Sequence, residues 1–295
     1  MSQKTAILGL FTETSLHAGT GQMLSNIDLP IQRESHTSYP CVYGSGVKGA
    51  LRELAESIKA KWIYEVFGPD MMDKGSDHAG ALGVSDARLL LLPVRSLTGH
   101  FKWVTCPAIL DRWKADYQRL GLSEANGFSL HTTIDNETAL IHHSLPEQDL
   151  FLEEFRFKTQ ANQNVKDVIN NIIKTMNNDI KANLIKQLVI INNDMFAHLC
   201  RYATPVDAHI AIDNETKVTK PGALWYQETL PPNTLLYTSL IAQNSRKKDS
   251  EKKANDILYH VINDLFIKNR PYLRLGGNET VGMGWCKVKV LNGEI

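Results

Sequence analysis

Two glycine-rich turns near opposite ends of the chain hold the residues best suited to grip phosphate. Residues 43–52 read YGSGVKGALR and open an amphipathic helical pattern that sets Lys48 and Arg52 one turn apart on the same face. Ser45 is the expected N-cap, and Gly44 and Gly46 loosen the entry so that the unpaired N–H groups of the first turn can face an anion. Charges four apart also occur simply as a solvated helix surface, here beside Glu56. Residues 275–285 read LGGNETVGMGW, placing Gly276, Gly277, Gly282 and Gly284 just before a strand pattern. Glycines there make tight turns, or let another backbone approach where a Cβ would block it. Together the two turns fit a surface for a sugar-phosphate chain.

Competing chemistries fail on context. Gly44, Gly46 and Gly49 match the spacing of a dinucleotide fingerprint, with Glu65 or Asp70 roughly twenty residues on. Only residues 39–43 precede it, however, and Pro40 spoils them as a strand; nor does the chain alternate strands and helices as a doubly wound sheet does. A P-loop is excluded because Lys48 comes before the last glycine and no Ser or Thr follows in the required place. Basic and acidic residues balance at 32 each, so any nucleic-acid contact has to be local rather than a bulk basic surplus. Cys41, Cys106, Cys200 and Cys286 are scattered with no CxxC pair, which reads as reduced core thiols in a cytosolic protein rather than a zinc site. The first ten residues lack the apolar run of a signal peptide, and no apolar stretch is long enough to cross a bilayer, so a soluble protein without membrane contact is expected.

These turns have to be positioned by an α+β framework. Residues 5–11 form a short apolar strand pattern, and a polar loop runs over 12–39. The first helix keeps Val47, Leu51, Leu54, Ala55 and Ile58 on one stripe, with Lys48, Arg52, Glu53, Glu56 and Lys59 elsewhere. Residues 70–80 read as a loop, 84–94 as a buried strand, and 164–189 as a second helix. The polar DNETK at 213–217, between apolar runs 208–212 and 223–226, predicts a hairpin with an exposed tip. A third helical pattern over 254–266 stops before Pro271, and 285–290 alternates as a final strand. Residues 245–253, SRKKDSEKK, look like a charged solvated linker. One elaborated domain with insertions accounts for a chain of 295 residues.

The run LHAGTG, then IDLPIQRESHT, YGSGVKGALRE, SDARLLLLPVRS, YQETLPP and LGGNETVGMGW closely resembles, in the same order, the backbone subunit of Cmr-type (type III-B) CRISPR effector complexes, members of the RAMP superfamily. The resemblance spans almost the whole chain and is weakest over 120–193. It implies a modified RRM-like, ferredoxin-like palm, an antiparallel sheet with packed helices. Lobes are inserted near 64–82 and 112–190, and a thumb β-hairpin near 203–226. It also implies copies stacked head to tail along a guide RNA, further Cmr subunits as partners, and endoribonuclease action on a paired target RNA at regular intervals. A guide-RNA scaffold without catalysis is the alternative within the same family.

Through that resemblance Asp28 is the residue matched to target cleavage. A carboxylate can hold a divalent ion, Mg2+ or Mn2+, at the scissile phosphate or take the 2′-hydroxyl proton directly; the resemblance favours the metal route, its ligands unknown and Asp28 a possible one. His17 and His36 are possible helpers or RNA contacts, and Glu228 is either a structural strand charge or a second acid. Arg33, Ser45, Lys48, Arg52 and the four glycines at 276, 277, 282 and 284 are the expected RNA contacts.

Overall fold

Five consecutive buried residues, Ala6 to Leu10, run through the first strand, β1 (Lys4–Thr12), so both of its faces need cover. The computed structural model describes residues 3–22, 26–69, 78–122, 133–176 and 180–292. After β1 come β2 (Cys41–Val42), α1 (Gly44–Ser57), α2 (Ile63–Phe67), β3 (Leu82–Val84), β4 (Ala87–Arg95), β5 (Phe101–Thr105) and α3 (Pro107–Arg119). The middle of the chain supplies β6 (Thr138–His142), β7 (Asp149–Leu152), β8 (Phe155–Asn162), α4 (Asn164–Ile172), α5 (Lys181–Gln187), β9 (Leu188–Ile190) and α6 (Asn193–Tyr202). The last part adds β10 (Val206–Ile212), β11 (Thr219–Glu228), β12 (Leu235–Ala242), α7 (Ala254–Tyr259), β13 (Tyr272–Arg274) and β14 (Trp285–Asn292).

Twelve strands form one mostly antiparallel sheet, and β10 and β11 form a separate two-stranded ribbon. At the centre the order is β14, β1, β12, β4, with every neighbouring pair antiparallel. Helix α1 lies in the connection from β1 to β4, and α7 in the connection from β12 to β14. Cover for β1 comes from α7 and from the turn at 173–175. That turn sits so close that a Cβ on Gly9 would lie 2.0 Å from the Thr175 carbonyl oxygen. The strands β5 to β9 extend the sheet at the far side, joined by parallel pairs at β5–β9 and β6–β8. Among the described residues no helix is long and apolar enough to cross a membrane.

Two local expectations need correction. Helix α1 begins at Gly44, with Tyr43 at the cap position and no side-chain cap, so Ser45 lies inside the helix. The Gly44 N–H is taken instead by Asp86 Oδ1 at 2.7 Å, a partner from the β3–β4 bend. The helical pattern over 164–189 breaks: α4 ends in a short 3-10 turn, Met176 is extended, and Leu188–Ile190 leave α5 to become β9. A run of Leu, Val and Ile satisfies a buried strand as readily as a helix stripe, and the gap between β5 and β6 selects the strand. Most of the loop expected at 70–80 lies outside the described residues. The boundary expected at 112 falls within α3.

Candidate active site

The loop after β1 returns along the base of the β10–β11 hairpin and is stitched to it by backbone bonds. Leu29 donates its N–H to the Tyr226 carbonyl at 3.0 Å, and Glu228 donates to the Leu29 carbonyl at 3.0 Å, a parallel bridge onto β11. Between them the half-buried Asp28 accepts the Tyr226 N–H on Oδ2 at 2.7 Å. Its carboxylate is therefore aimed by the hairpin's own backbone, and no rotamer of a long side chain has to be frozen to place it.

Two residues further along β11, Glu228 is 2% exposed and fully engaged. Oε1 accepts from Arg33 Nη2 and from Thr204 Oγ1, the latter at 2.6 Å, and Oε2 accepts the Ile31 N–H at 3.1 Å. Arg33 donates through Nη1 to the carbonyls of Ser38 and Cys200, both at 2.8 Å. A buried carboxylate is tolerable only when paired and hydrogen-bonded, and this one joins three segments: the Asp28 loop, the end of α6 and the hairpin base. Both carboxylate oxygens of Glu228 thus have protein partners, as the structural of its two expected roles requires. Both terminal nitrogens of Arg33 face protein acceptors, so an RNA contact would have to displace them.

His17 is 8% exposed, and its Nδ1 lies 2.7 Å from the Glu228 carbonyl oxygen. A carbonyl only accepts, so Nδ1 carries the hydrogen of this bond, and in the neutral form of the ring Nε2 is the acceptor. That nitrogen faces Gly19, where a Cβ would come within 2.7 Å. The His17 carbonyl in turn accepts the Gly277 N–H at 2.8 Å. Gly276, at φ +78°, passes so close that its Cβ would be 2.4 Å from the same oxygen. The second glycine-rich turn is therefore a close approach of backbone to backbone, and it brings Gly276 and Gly277 to His17. Gly284, at φ +85°, serves the same purpose within the turn, since a Cβ there would lie 2.0 Å from the Leu275 carbonyl. Gly282 takes a left-handed φ in open space.

The other expected residues stand apart. His36 sits in an exposed turn whose Glu34 receives Arg112 Nη1 at 2.6 and 2.9 Å. Lys48 donates to the Leu82 carbonyl at 2.9 Å, and burial, with Arg246 and Arg52 nearby, lowers its pKa. Arg52 pairs with Glu56 at 2.8 Å and reaches the Gly68 carbonyl at 3.2 Å. Gln32 connects the helix entry to the centre: its Nε2 donates to the Gly19 carbonyl at 3.1 Å and its Oε1 accepts the Tyr43 N–H at 2.6 Å. Gln32, Thr204 and Asp86 were missed in the sequence, because their partners lie at least eleven residues away along the chain.

Among the described residues no three His, Cys, Asp or Glu side chains gather as a metal site. Glu228 is consumed by Arg33, which leaves Asp28 as the carboxylate this centre offers. One carboxylate matches the habit of Mg2+, which keeps waters and shares substrate phosphates rather than filling an all-protein cage.

Residues 10–287 match the RAMP superfamily, and the chain belongs to that family. It is 35% identical over 291 residues, 97% of this chain and 95% of the relative, to the CRISPR system Cmr endoribonuclease Cmr4 of Pyrococcus furiosus. The crystal structure of oligomeric Cmr4 from that organism superposes with a TM-score of 0.74 at 30% identity, covering 100% of both chains. A subunit of the type III-B Cmr-beta complex bound to cognate target RNA, seen by cryo-electron microscopy, shares the fold at a TM-score of 0.74 and 22% identity, covering 98% of this chain and 97% of that one.

Proposed function

We propose that this chain is the guide-RNA-binding filament subunit of a cytoplasmic type III-B CRISPR effector complex and an endoribonuclease that cuts complementary target RNA at regular intervals. The single observation that carries the chemistry is the Asp28 carboxylate fixed by the Tyr226 N–H at the base of the hairpin. A full-length relative named for endoribonuclease activity supports the reaction class, and the oligomeric relative supports head-to-tail stacking of copies along the guide. The central order β14, β1, β12, β4 with helices in the two crossovers supports a ferredoxin-like, RRM-like palm. The β10–β11 ribbon is the thumb. It leaves Ile210, Ile212, Val218 and Leu224 exposed, as a wedge between stacked bases requires.

RNA cleavage needs the 2′-hydroxyl in line with the phosphorus, a destination for its proton, and relief of the charge growing on the phosphate. The hairpin bends the strand and frees a 2′-hydroxyl; Asp28 orients it or accepts its proton as the 2′-oxygen bonds to phosphorus, the P–O5′ bond breaks, and the leaving 5′-oxygen takes a proton from water. Asp28 would hold a divalent ion, Mg2+ or Mn2+, which when bound would supply neutralisation of phosphate charge. His17, held through Nδ1 by the Glu228 carbonyl, presents Nε2 beside Gly19. Lys48, Arg52 and the open position Gly49 form the guide-backbone surface, linked to the cleavage centre through Gln32.

The test replaces Asp28 with Asn, whose oxygen still accepts the Tyr226 N–H, and assembles the complex with guide RNA. Target binding is expected unchanged, while the cleavage rate drops about 10²- to 10⁴-fold, the range for a removed acid–base group. Cutting at the parental rate would assign the chemistry elsewhere and favour a scaffold role. Chelation of divalent ions with EDTA is expected to stop the parental complex, with restoration by Mg2+ or Mn2+.

A further inference from the structure

One methionine stands where the glycine-rich turn meets the end of β11, and two amides converge on its sulfur. Met283 Sδ lies 3.9 Å from Gln227 Nε2 and 3.7 Å from Asn278 Nδ2, both within hydrogen-bond reach of sulfur. The turn holds this arrangement closed, because the Met283 N–H donates to the Asn278 carbonyl at 3.3 Å. Gln227 is 2% exposed, so its amide is sealed from bulk water and its Nε2 meets a thioether, a weak acceptor. Buried polar groups ordinarily find a better partner than that. We propose that Met283 is a redox-responsive modification site, at which peroxide converts the thioether to a sulfoxide whose oxygen the two amides receive, and that the change slows the cleavage centre. The modification stands on this geometry alone; its effect on cleavage rests on the RNA reading above.

In the chemical step a sulfur lone pair attacks one oxygen of hydrogen peroxide and the O–O bond breaks. The departing hydroxide takes the proton of the transferred oxygen and leaves as water, so sulfur is oxidised by two electrons and peroxide reduced by two. In an apolar core the product is a lesion, because it buries a polar oxygen without a partner. Met176 is 1% exposed in such a core and Met195 packs against it, whereas Met283 is half-buried in a turn with N–H donors already in place. All four cysteines are buried, which makes them poor competitors for the oxidant. The consequence follows from where Gln227 sits. On one side Tyr226 donates the N–H that fixes Asp28, and on the other the Glu228 carbonyl receives His17. The same glycine-rich turn donates the Gly277 N–H to the His17 carbonyl at 2.8 Å. An oxygen inserted between sulfur and the amides has to push the turn from β11 or rotate both amides, and a shift of about 1 Å at a reacting group costs up to about 10²-fold in rate.

The experiment treats the assembled complex with hydrogen peroxide, maps the oxygen gained by each methionine by mass spectrometry, and times target cleavage. Met283 is expected to gain one oxygen before Met176 and Met195 do, while cleavage slows about 10- to 100-fold and target binding holds. A methionine sulfoxide reductase supplied with a dithiol is expected to reverse both changes. Met283→Leu, close to methionine in volume, is expected to cut near the parental rate and to keep that rate after peroxide. Met283→Gln, which sets an amide oxygen where the sulfoxide oxygen would lie, is expected to cut slowly without any oxidant. Met283 left unmodified while Met195 is oxidised, or a Met283 sulfoxide complex that cuts at the parental rate, overturns the proposal and leaves the cleavage reading intact. So does a Met283→Leu complex that peroxide slows as much as its parent. An untreated complex that fails to cut RNA sinks the cleavage reading and the effect on rate with it, while the oxygen map still decides the site.

Discussion

Replacing Glu228 with Ala would remove the acceptor that serves Arg33, Thr204 and the Ile31 N–H together. The Ile31 N–H would be left buried and unpaired, at about 1–3 kcal/mol, and the hydroxyl of Thr204 would lose about 1 kcal/mol. The Arg33 guanidinium would lose its counter-charge. Breaking a fully buried pair costs about 3–5 kcal/mol, but Arg33 is 20% exposed and keeps two backbone carbonyls, so a smaller share applies. The sum is about 3–5 kcal/mol. With an unfolding entropy of about 2.1 cal/mol/K per residue, the whole chain carries roughly 0.6 kcal/mol/K, which converts the loss to a fall in Tm of about 5–8 °C. Calorimetry on the isolated chain measures this directly. The double variant Glu228→Ala, Arg33→Met is expected to recover part of the loss, because no uncompensated charge remains. A Tm within about 1 °C of the parent, together with abolished cleavage in the assembled complex, would refute the structural role and restore Glu228 as a second acid.

The two neighbouring glycines give a sharper contrast. Gly276→Ala, which drives a Cβ against the His17 carbonyl at positive φ, is expected to destabilise by about 2 kcal/mol or more and to lower cleavage; Gly277→Ala, whose Cβ finds its nearest atom at 3.8 Å, is expected to stay within about 1 kcal/mol in the same melts. Burial pushes the thiols of Cys41 and Cys286 up to about 12 and that of Cys106 up to about 11, so in the native protein none of the three is expected to react with a disulfide reagent at pH 8. The unfolded thiols ionise near pH 8.5 while the folded ones keep their protons, so this stabilisation is complete below that pH and is lost as pH rises towards 11–12; a Tm that holds from pH 8.5 to 10.5 would contradict it. Ile210→Ser with Leu224→Ser on the hairpin is expected to leave Tm within about 2 °C, as exposed sites do, while slowing target cleavage in the complex.

The framework was largely legible because its signals are local. The stripe of α1, the apolar run of β1 and the hairpin with DNETK at its tip all appear where periodicity and turn residues place them. The density of glycines at 276–284 was legible as a close approach of backbones, although its partner, the His17 carbonyl, was not. What could not be read are bonds whose two ends are distant in the chain. Arg33 and Glu228 are separated by 195 positions, and nothing at either site marks the other. Asp86 displaces Ser45 from the expected capping role in the same way, from 42 positions away. The break between α5 and β9 escaped because Leu, Val and Ile carry no period of their own over three residues.

The position of Asp28 follows from these long-range bonds rather than from its own loop. A loop aspartate is ordinarily a turn residue, free to choose among rotamers. Here Oδ2 is held by a backbone N–H of β11, and the flanking Leu29 is bonded on both sides to the same strand. Among the described residues the hairpin strands pair with each other as a two-stranded sheet, joined by the single bridge from Leu29, and a lone two-stranded ribbon is marginal in water. Its root is therefore where stability has to be supplied, and the buried Arg33–Glu228–Thr204 clamp sits at that root. One set of bonds thus anchors the arm proposed to engage RNA and aims the carboxylate proposed to act on it, which is why a polar cluster is tolerated at a place where apolar packing would stabilise the fold at least as well.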